Sequence, residues 1–277
     1  MGFVRRFLRN RLAVLGAGII AAFLAGAVFA PALTTFNPIR MDLGAKLTPP
    51  GSTHLLGTDE LGRDLLARIL YGARTSLFTG VLVVAIGLGV GGAIGVVGGW
   101  YEGTLDQAVG VVVDTMLSIP GILLALALVA ALGPGAEKAA VSIGIATIPN
   151  FARLVRSTVL SVKRNAYVEA ARAIGAREAA VIFAYVLPNG IAPIMVLASY
   201  QMATAMLTIA TLSFIGLGAQ PPLPEWGSML ARGRDFVRVA PYYPIVAGMP
   251  IILVVLGFNL VGDGFRDALD PRLSRLT

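Results

Sequence analysis

The chain has 277 residues, 56% of them hydrophobic and only 13% charged, against the roughly 25% charged residues of an average soluble domain. A soluble fold of this length would leave large apolar patches in water, so the natural solvent is a bilayer. The absence of cysteine and the single histidine, His54, exclude disulfides, thiolate chemistry and two-histidine metal motifs; the net charge of +7 suits cationic loops against anionic lipid better than nucleic acid.

Four arginines, Arg5, Arg6, Arg9 and Arg11, precede the first apolar run, Leu12–Leu33. The run is longer than a signal-peptide core, and Pro31 directly follows the candidate cleavage motif Val28-Phe29-Ala30, so it reads as an uncleaved first span. Residues 35–76, rich in Pro, Gly and acidic side chains, read as an outer loop. The second run, Leu77–Gly99, carries Gly87, Gly91, Gly95 and Gly99 at every fourth position, which predicts one helix face that another backbone can approach closely. Gly87 to Gly92 also matches G-x-G-x-x-G, but no strand precedes it and no ribose-binding acid sits in a βαβ setting. No phosphate-gripping G-x-x-x-x-G-K-[ST] occurs, so the chain does not itself hold ATP in that way.

The remaining runs are Ala108–Leu132, Ala139–Leu160, Ile191–Gly218 and Tyr242–Val261. They contain Asp114 and Ser118, then Arg153 and Arg156, then Gln201, then Asn259. Polar groups at membrane depth should face protein or water, which makes Asp114, Ser118, Gln201 and Asn259 candidates for a translocation path. Solvation at a span end, or hydrogen bonding between helices, is the plain structural alternative. Between the fifth and sixth runs, Gln220-Pro221-Pro222-Leu223-Pro224-Glu225-Trp226-Gly227 cannot continue a helix and reads as a second outer loop. Trp226, Tyr242 and Tyr243 fall where an interfacial aromatic belt is expected. Six spans with both ends inside put thirteen Lys and Arg on the inner segments, including Arg266, Arg272 and Arg275, against nine on the outer ones. The expectation is an all-α polytopic bundle of six spans, N-in and C-in. It divides into residues 1–34 (inner segment and first span), an outer loop at 35–76, and a core at 77–277 with an inner loop at about 161–188.

That inner loop is the most informative stretch. Tyr167, Ala170, Ala171 and Ile174 make an apolar stripe at i, i+3, i+4 and i+7 of a short helix, with Glu169, Arg172 and Arg177 around it. Gly175 permits a sharp turn, and Pro188 marks entry into the fifth span. An alanine-faced helix lets a partner surface come close; an amphipathic helix resting on headgroups is the alternative.

Glu169-Ala170-Ala171, then Gly175, then Leu187-Pro188 resembles the EAA loop of permease subunits in bacterial binding-protein-dependent ABC importers, with Tyr185 where a branched apolar residue is usual. The stretches 56–64, 71–77, 212–218 with Gln220-Pro221-Pro222, and 258–272 resemble the C-type permease of the dipeptide/oligopeptide/nickel branch; relatives often carry an arginine where Val111-Val112-Val113 stands. The resemblance implies a MetI-like type I importer fold in a bacterial inner membrane. It implies that Tyr167, Glu169, Ala170, Ala171, Ile174 and Gly175 couple to an ATPase. The implied partners are a second homologous permease, two ATPase subunits that carry ATP and Mg, an extracytoplasmic binding protein and membrane lipid. No catalytic or metal-binding residue and no cofactor are expected on this chain. The implied cargo is di- or oligopeptides, with nickel complexes or glutathione-like solutes as alternatives. An ion-coupled secondary transporter would need an ion site and usually a repeat, and an embedded enzyme would need clustered catalytic groups; neither pattern is evident.

Overall fold

The computed structural model describes residues 3–269; Arg272 and Arg275, and the end of the 258–272 stretch, lie outside them. Among the described residues the chain is helical, with a single isolated bridge between Thr58 and Asp64. A short helix α1 (Phe3–Arg9) leads into α2 (Arg11–Leu33), capped by the Asn10 side chain, which accepts from the backbone N–H of Leu12 and Ala13. A loop then leads to α3 (Leu65–Tyr101), a helix widened by one turn at Gly87–Gly91. Helices α4 (Gly103–Leu117) and α5 (Gly121–Leu132) meet at 85°. There follow α6 (Ala136–Lys163), α7 (Ala166–Ala173), α8 (Glu178–Phe214, widened at Ile182–Val186), α9 (Trp226–Gly233) and α10 (Tyr242–Leu269).

Helices α2, α3, α8 and α10 are long and apolar enough to cross a membrane, and the bent pair α4–α5 makes a fifth if it counts as one span. The third apolar run is therefore not a straight helix: Pro120, which has no N–H to donate, stands at the corner. The fourth expected span, Ala139–Leu160, corresponds to α6, which is 28 residues long but not as apolar as the other four long helices. Its polarity is tolerated because α3, α5 and α8 all pack on it, so much of its surface meets protein rather than lipid. The 37 residues of α3 and of α8 would span about 55 Å, well beyond a hydrocarbon core of ~30 Å. Both therefore begin a dozen or so residues ahead of the apolar runs Leu77–Gly99 and Ile191–Gly218.

Three apolar clusters follow one another along the bundle. One joins the start of α3 (Leu65, Ile69, Ala73) to α9 and α10 through Trp226, Met229 and Tyr243. The middle one joins Val83, Ala125, Ile143 and Ile209. The third joins Trp100 to Val155 and Val159 of α6, Val168 and Ala171 of α7, and the start of α8. Trp226 and Tyr243 are thus core residues, not members of a surface belt: Trp226 is 0% exposed and its indole N–H donates to the Ile69 carbonyl at 3.0 Å, while Tyr243 donates to Glu60 at 2.9 Å.

Charge enters this apolar bundle where it completes a hydrogen bond. Pro31 inside α2 has no N–H, so the carbonyl of Ala27, four residues earlier, has no helical donor. Arg74 Nε of α3 donates to that oxygen at 2.6 Å. In the loop before α3, the fully buried Asp59 accepts from the backbone N–H of Leu61 and Arg63 and from Arg63 Nε at 2.6 Å. Glu60 accepts from Arg63, Arg232 and Tyr243, tying this loop to α9 and α10.

The glycines of α3 meet α6. A Cβ on Gly95 would lie 2.6 Å from the Ala152 carbonyl oxygen and 2.8 Å from Val155 Cβ; on Gly99 it would lie 2.8 Å from the Arg156 oxygen. Gly87 faces Phe151, and Gly91 faces Ile148 and Phe151. Gly89 faces open space. Gly95→Leu is therefore expected to cost about 1–3 kcal/mol by overpacking. Gly89→Ala should be neutral or gain up to ~1 kcal/mol of helix propensity. Thermal or denaturant unfolding of the purified protein in detergent checks both.

Candidate coupling helix and membrane cleft

Helix α7 has eight residues, too few to be stable alone, so its ends and its packing decide whether it forms. Its C-terminus closes in a left-handed turn. Gly175 stands at φ +83°, its N–H donates to the Arg172 carbonyl at 2.9 Å, and the Ala176 N–H donates to the Ala171 carbonyl at 3.1 Å. This is the paired hydrogen-bond pattern that caps a helix when the residue after the cap adopts positive φ, the region where glycine has no Cβ penalty.

The expected stripe divides in two. Ala171, with Val168, is buried against Val159, Val181 and Trp100. Tyr167, Ala170 and Ile174 lie exposed on the other face, Ile174 at 83%. Glu169 is also exposed, and so is Gly175. Tyr185, within the widened turn of α8, is partly exposed, and its carbonyl accepts from the Asn189 side chain at 2.7 Å. Val168 was not singled out in the sequence, although it anchors the helix; its place in the 3.6-residue period beside Ala171 was the available signal.

The apolar bed of α7 is bordered by charge. The Arg172 guanidinium lies 4.3 Å from the centroid of the Trp100 ring, and Lys163 Nζ lies 5.6 Å from it. Lys163 also donates to the Trp100 carbonyl at 2.6 Å and pairs with Glu102 at 3.0 Å. Arg156 grips Asp106 of α4 through two donors. None of these partners was legible without the tertiary fold.

The four candidate path residues do not gather in one place. A cleft of about 830 Å³ opens between α6, α8 and α10. Asn150, Arg153 and Ser157 line it at i, i+3 and i+7 of α6, Asn259, Asp263 and Arg266 at i, i+4 and i+7 of α10, and Tyr200 stands on α8. Asn259 is thus on the cleft. Asp114 reaches its edge indirectly, by accepting from Arg153 at 2.6 Å, with both side chains more than half exposed. That pairing exists although no arginine stands at Val111, Val112 or Val113. Ser118 lies at the α4–α5 corner, where its hydroxyl donates to the Thr115 carbonyl, and Gln201 is buried away from the cleft. The polar period of Asn150, Arg153 and Ser157 was present in the sequence and was missed because the run was read for hydrophobicity alone. Among the described residues no group of three or more His, Cys, Asp or Glu could hold a metal ion.

A helical bundle with apolar spans, a short exposed helix on a charged collar and a largely apolar cleft carrying a few polar side chains between spans has the anatomy of a membrane transport subunit. Residues 87–275 match the family described as the binding-protein-dependent transport system inner membrane component, and residues 2–50 match the N-terminal transmembrane domain of oligopeptide transport permease C. The chain belongs to this permease family and is a multi-pass membrane protein. It is 44% identical, over 96% of its length and 87% of the relative's, to the dipeptide transport system permease protein DppC of Alkalihalophilus pseudofirmus. It is 42% identical to the glutathione transport system permease protein GsiD of Pectobacterium atrosepticum over 98% of its length and 90% of the relative's. To the probable D,D-dipeptide transport system permease protein DdpC of Escherichia coli it is 44% identical over 94% and 88%. The fold resembles a chain of the inward-facing MetNI methionine ABC transporter, with a TM-score of 0.58 at 22% identity, over 72% of this chain and 94% of that one.

Because the protein has no native cysteine, single cysteines report accessibility cleanly. Asn259→Cys and Ser157→Cys on the cleft are expected to react with a small maleimide at least about tenfold faster than Gln201→Cys, since a buried site labels only after local opening. Equal rates at all three positions would remove the cleft as a water-accessible feature.

Proposed function

We propose that this chain is the non-catalytic permease subunit of an ATP-driven importer in the bacterial inner membrane, forming half of a pathway for short peptides. The single observation that carries the reading is the exposed face of Tyr167, Ala170 and Ile174, set on a Gly175-capped helix in a member of the binding-protein-dependent permease family. Relatives named for dipeptide transport support the cargo class, and one named for glutathione keeps a glutathione-like solute within the same reading.

In this reading α6 and the bent pair α4–α5 each count as one span, which brings the total to six with α2, α3, α8 and α10. An even number of spans puts both ends on one side. Supporting this, Phe7 of α1 packs on Phe265 near the end of α10, and the Asn10 amide donates to Asp267 at 2.9 Å. The excess of Lys and Arg on the same side supports N-in and C-in. Helix α7 lies at that end of the bundle, since α3 runs away from the outer loop toward Trp100.

The partners are a second homologous permease, two ATPase subunits bearing ATP and Mg, an extracytoplasmic binding protein, and lipid. Closure of the ATPases on ATP displaces α7, and the spans shift between arrangements open to one side and then the other. The cleft with Asn150, Arg153, Tyr200 and Asn259 forms this subunit's share of the route. The outer loops, where Pro221, Pro222 and Leu223 are exposed while Glu225 and Trp226 are buried, offer the face for the binding protein.

Gly175→Pro cannot adopt φ +83° and removes the N–H that donates to the Arg172 carbonyl; Glu169→Lys reverses charge on the exposed helix. Both variants are expected to insert normally while uptake per ATP hydrolysed falls about tenfold, within the usual range of a coupling free energy. Wild-type uptake per ATP in both, measured in vesicles with the complete transporter, would remove α7 from the coupling role.

A further inference from the structure

A displacement of α7 is useful only if something firm carries it into the spans; besides the chain connection into α8, the structure offers a route through the end of α3. The inward face of α7, Val168 and Ala171, rests in the cluster around Trp100, which is 2% exposed at the last turn of α3. Arg172, on the next residue of α7, lays its guanidinium over the Trp100 ring at 4.3 Å. Arg172 is exposed to solvent on its other side. A guanidinium over an indole face is attracted by the ring quadrupole, and its planarity fixes the approach in a way an ammonium does not.

Trp100 is in turn fixed to α6. Its neighbour Gly99 lies so close to α6 that an added Cβ would be 2.8 Å from the Arg156 oxygen and 2.9 Å from Val159 Cβ. Lys163 holds the Trp100 carbonyl at 2.6 Å. The last turn of α3 and the last two turns of α6 are therefore tightly joined, and Trp100 is where the guanidinium of α7 meets them.

We infer that Trp100 and Arg172 form the joint through which motion of α7 enters the transmembrane bundle, with both acting as positioning residues and neither touching ATP or cargo. This rests on the coupling reading of α7 above.

The test uses the complete transporter in proteoliposomes: uptake per ATP is measured with Ile174 intact, and a parallel set carries Ile174→Cys solely as a crosslinking reporter for contact between α7 and the ATPase subunit. Arg172→Met keeps the stem and removes the cation, at an exposed position that should not impair folding. Trp100→Leu removes the ring, and Trp100→Phe restores an aromatic face. The expected result is that Arg172→Met and Trp100→Leu retain the crosslink while uptake per ATP falls about tenfold, and Trp100→Phe recovers most of it. Arg172→Lys should fall between Arg172→Met and the wild type. Wild-type uptake per ATP in Arg172→Met with the crosslink retained would overturn the joint and leave the coupling reading standing. Failure of Ile174→Cys to crosslink in the otherwise unaltered transporter would overturn both.

Discussion

The approach of α3 to α6 without intervening side chains is the constraint from which the rest of the arrangement follows. Within lipid the hydrophobic effect does not drive helices together, because the acyl chains are as apolar as leucine; close packing and hydrogen bonding must do so. Gly91, Gly95 and Gly99 supply that closeness by letting the α6 backbone sit where their side chains would have been. With α6 held in the middle of the bundle, α5 and α8 pack around it, and its remaining face bears Asn150, Arg153 and Ser157 on the cleft. The same seam fixes the position of Trp100 at one end, and so the bed on which α7 lies.

Polar groups in the bundle obey a simple accounting. An unpaired backbone carbonyl or charge away from water costs several kcal/mol, so most find a hydrogen-bond partner within the protein, buried Arg68 Nε and Ser213 Oγ being exceptions. Arg74 replaces the donor that Pro31 lacks, Trp226 gives its indole N–H to Ile69, and Asp59 accepts from two backbone amides and Arg63. Buried ion pairs of this kind seldom add much net stability, because desolvation offsets the Coulomb gain; what they do is make one arrangement far better than its neighbours. Glu60, shared by Arg63, Arg232 and Tyr243, gathers the loop before α3, helix α9 and the start of α10 around one carboxylate.

The features legible in the sequence were those governed by local spacing. The four-residue glycine period and the turn at Gly175 are one-dimensional patterns, and each corresponds to a definite local geometry; the stripe of α7 located the helix but not its faces, since Ala171 is buried and Tyr167, Ala170 and Ile174 are exposed. Hydropathy found the apolar middles of the helices but not their ends. The first turns of α3 are held by an Asp64 cap and by tertiary contacts of Arg68 and Arg74, none of which raises mean hydropathy. Trp226 was misplaced on a surface belt for the converse reason: its residue type suits an interface, but its environment was set by α3 and α10, far away in the chain. The cleft was half legible. Its two polar stripes have helical periods, yet only the fold brings residues 150–157 opposite residues 259–266.

Helix α7 divides its labour between its faces, and its composition follows from that division. A docking surface built from long side chains would spend rotamer entropy on each engagement and would yield under load. In the proposed docking role, alanine loses no such entropy and lets a partner come close to the backbone, so Ala170 between Tyr167 and Ile174 would make a shallow seat. The inward face also uses small or branched residues, Ala171 and Val168, which sit firmly in the cluster around Trp100. An eight-residue helix held on one side only would fray at its free end. The Gly175 turn prevents this by satisfying the last carbonyls within the chain, so the helix can be pushed from outside without unwinding. For the coupling role proposed above, stiffness at the exposed face, at the cap and at the α3–α6 seam are three requirements of one task, since compliance at any of them would absorb the displacement before it reached the cleft.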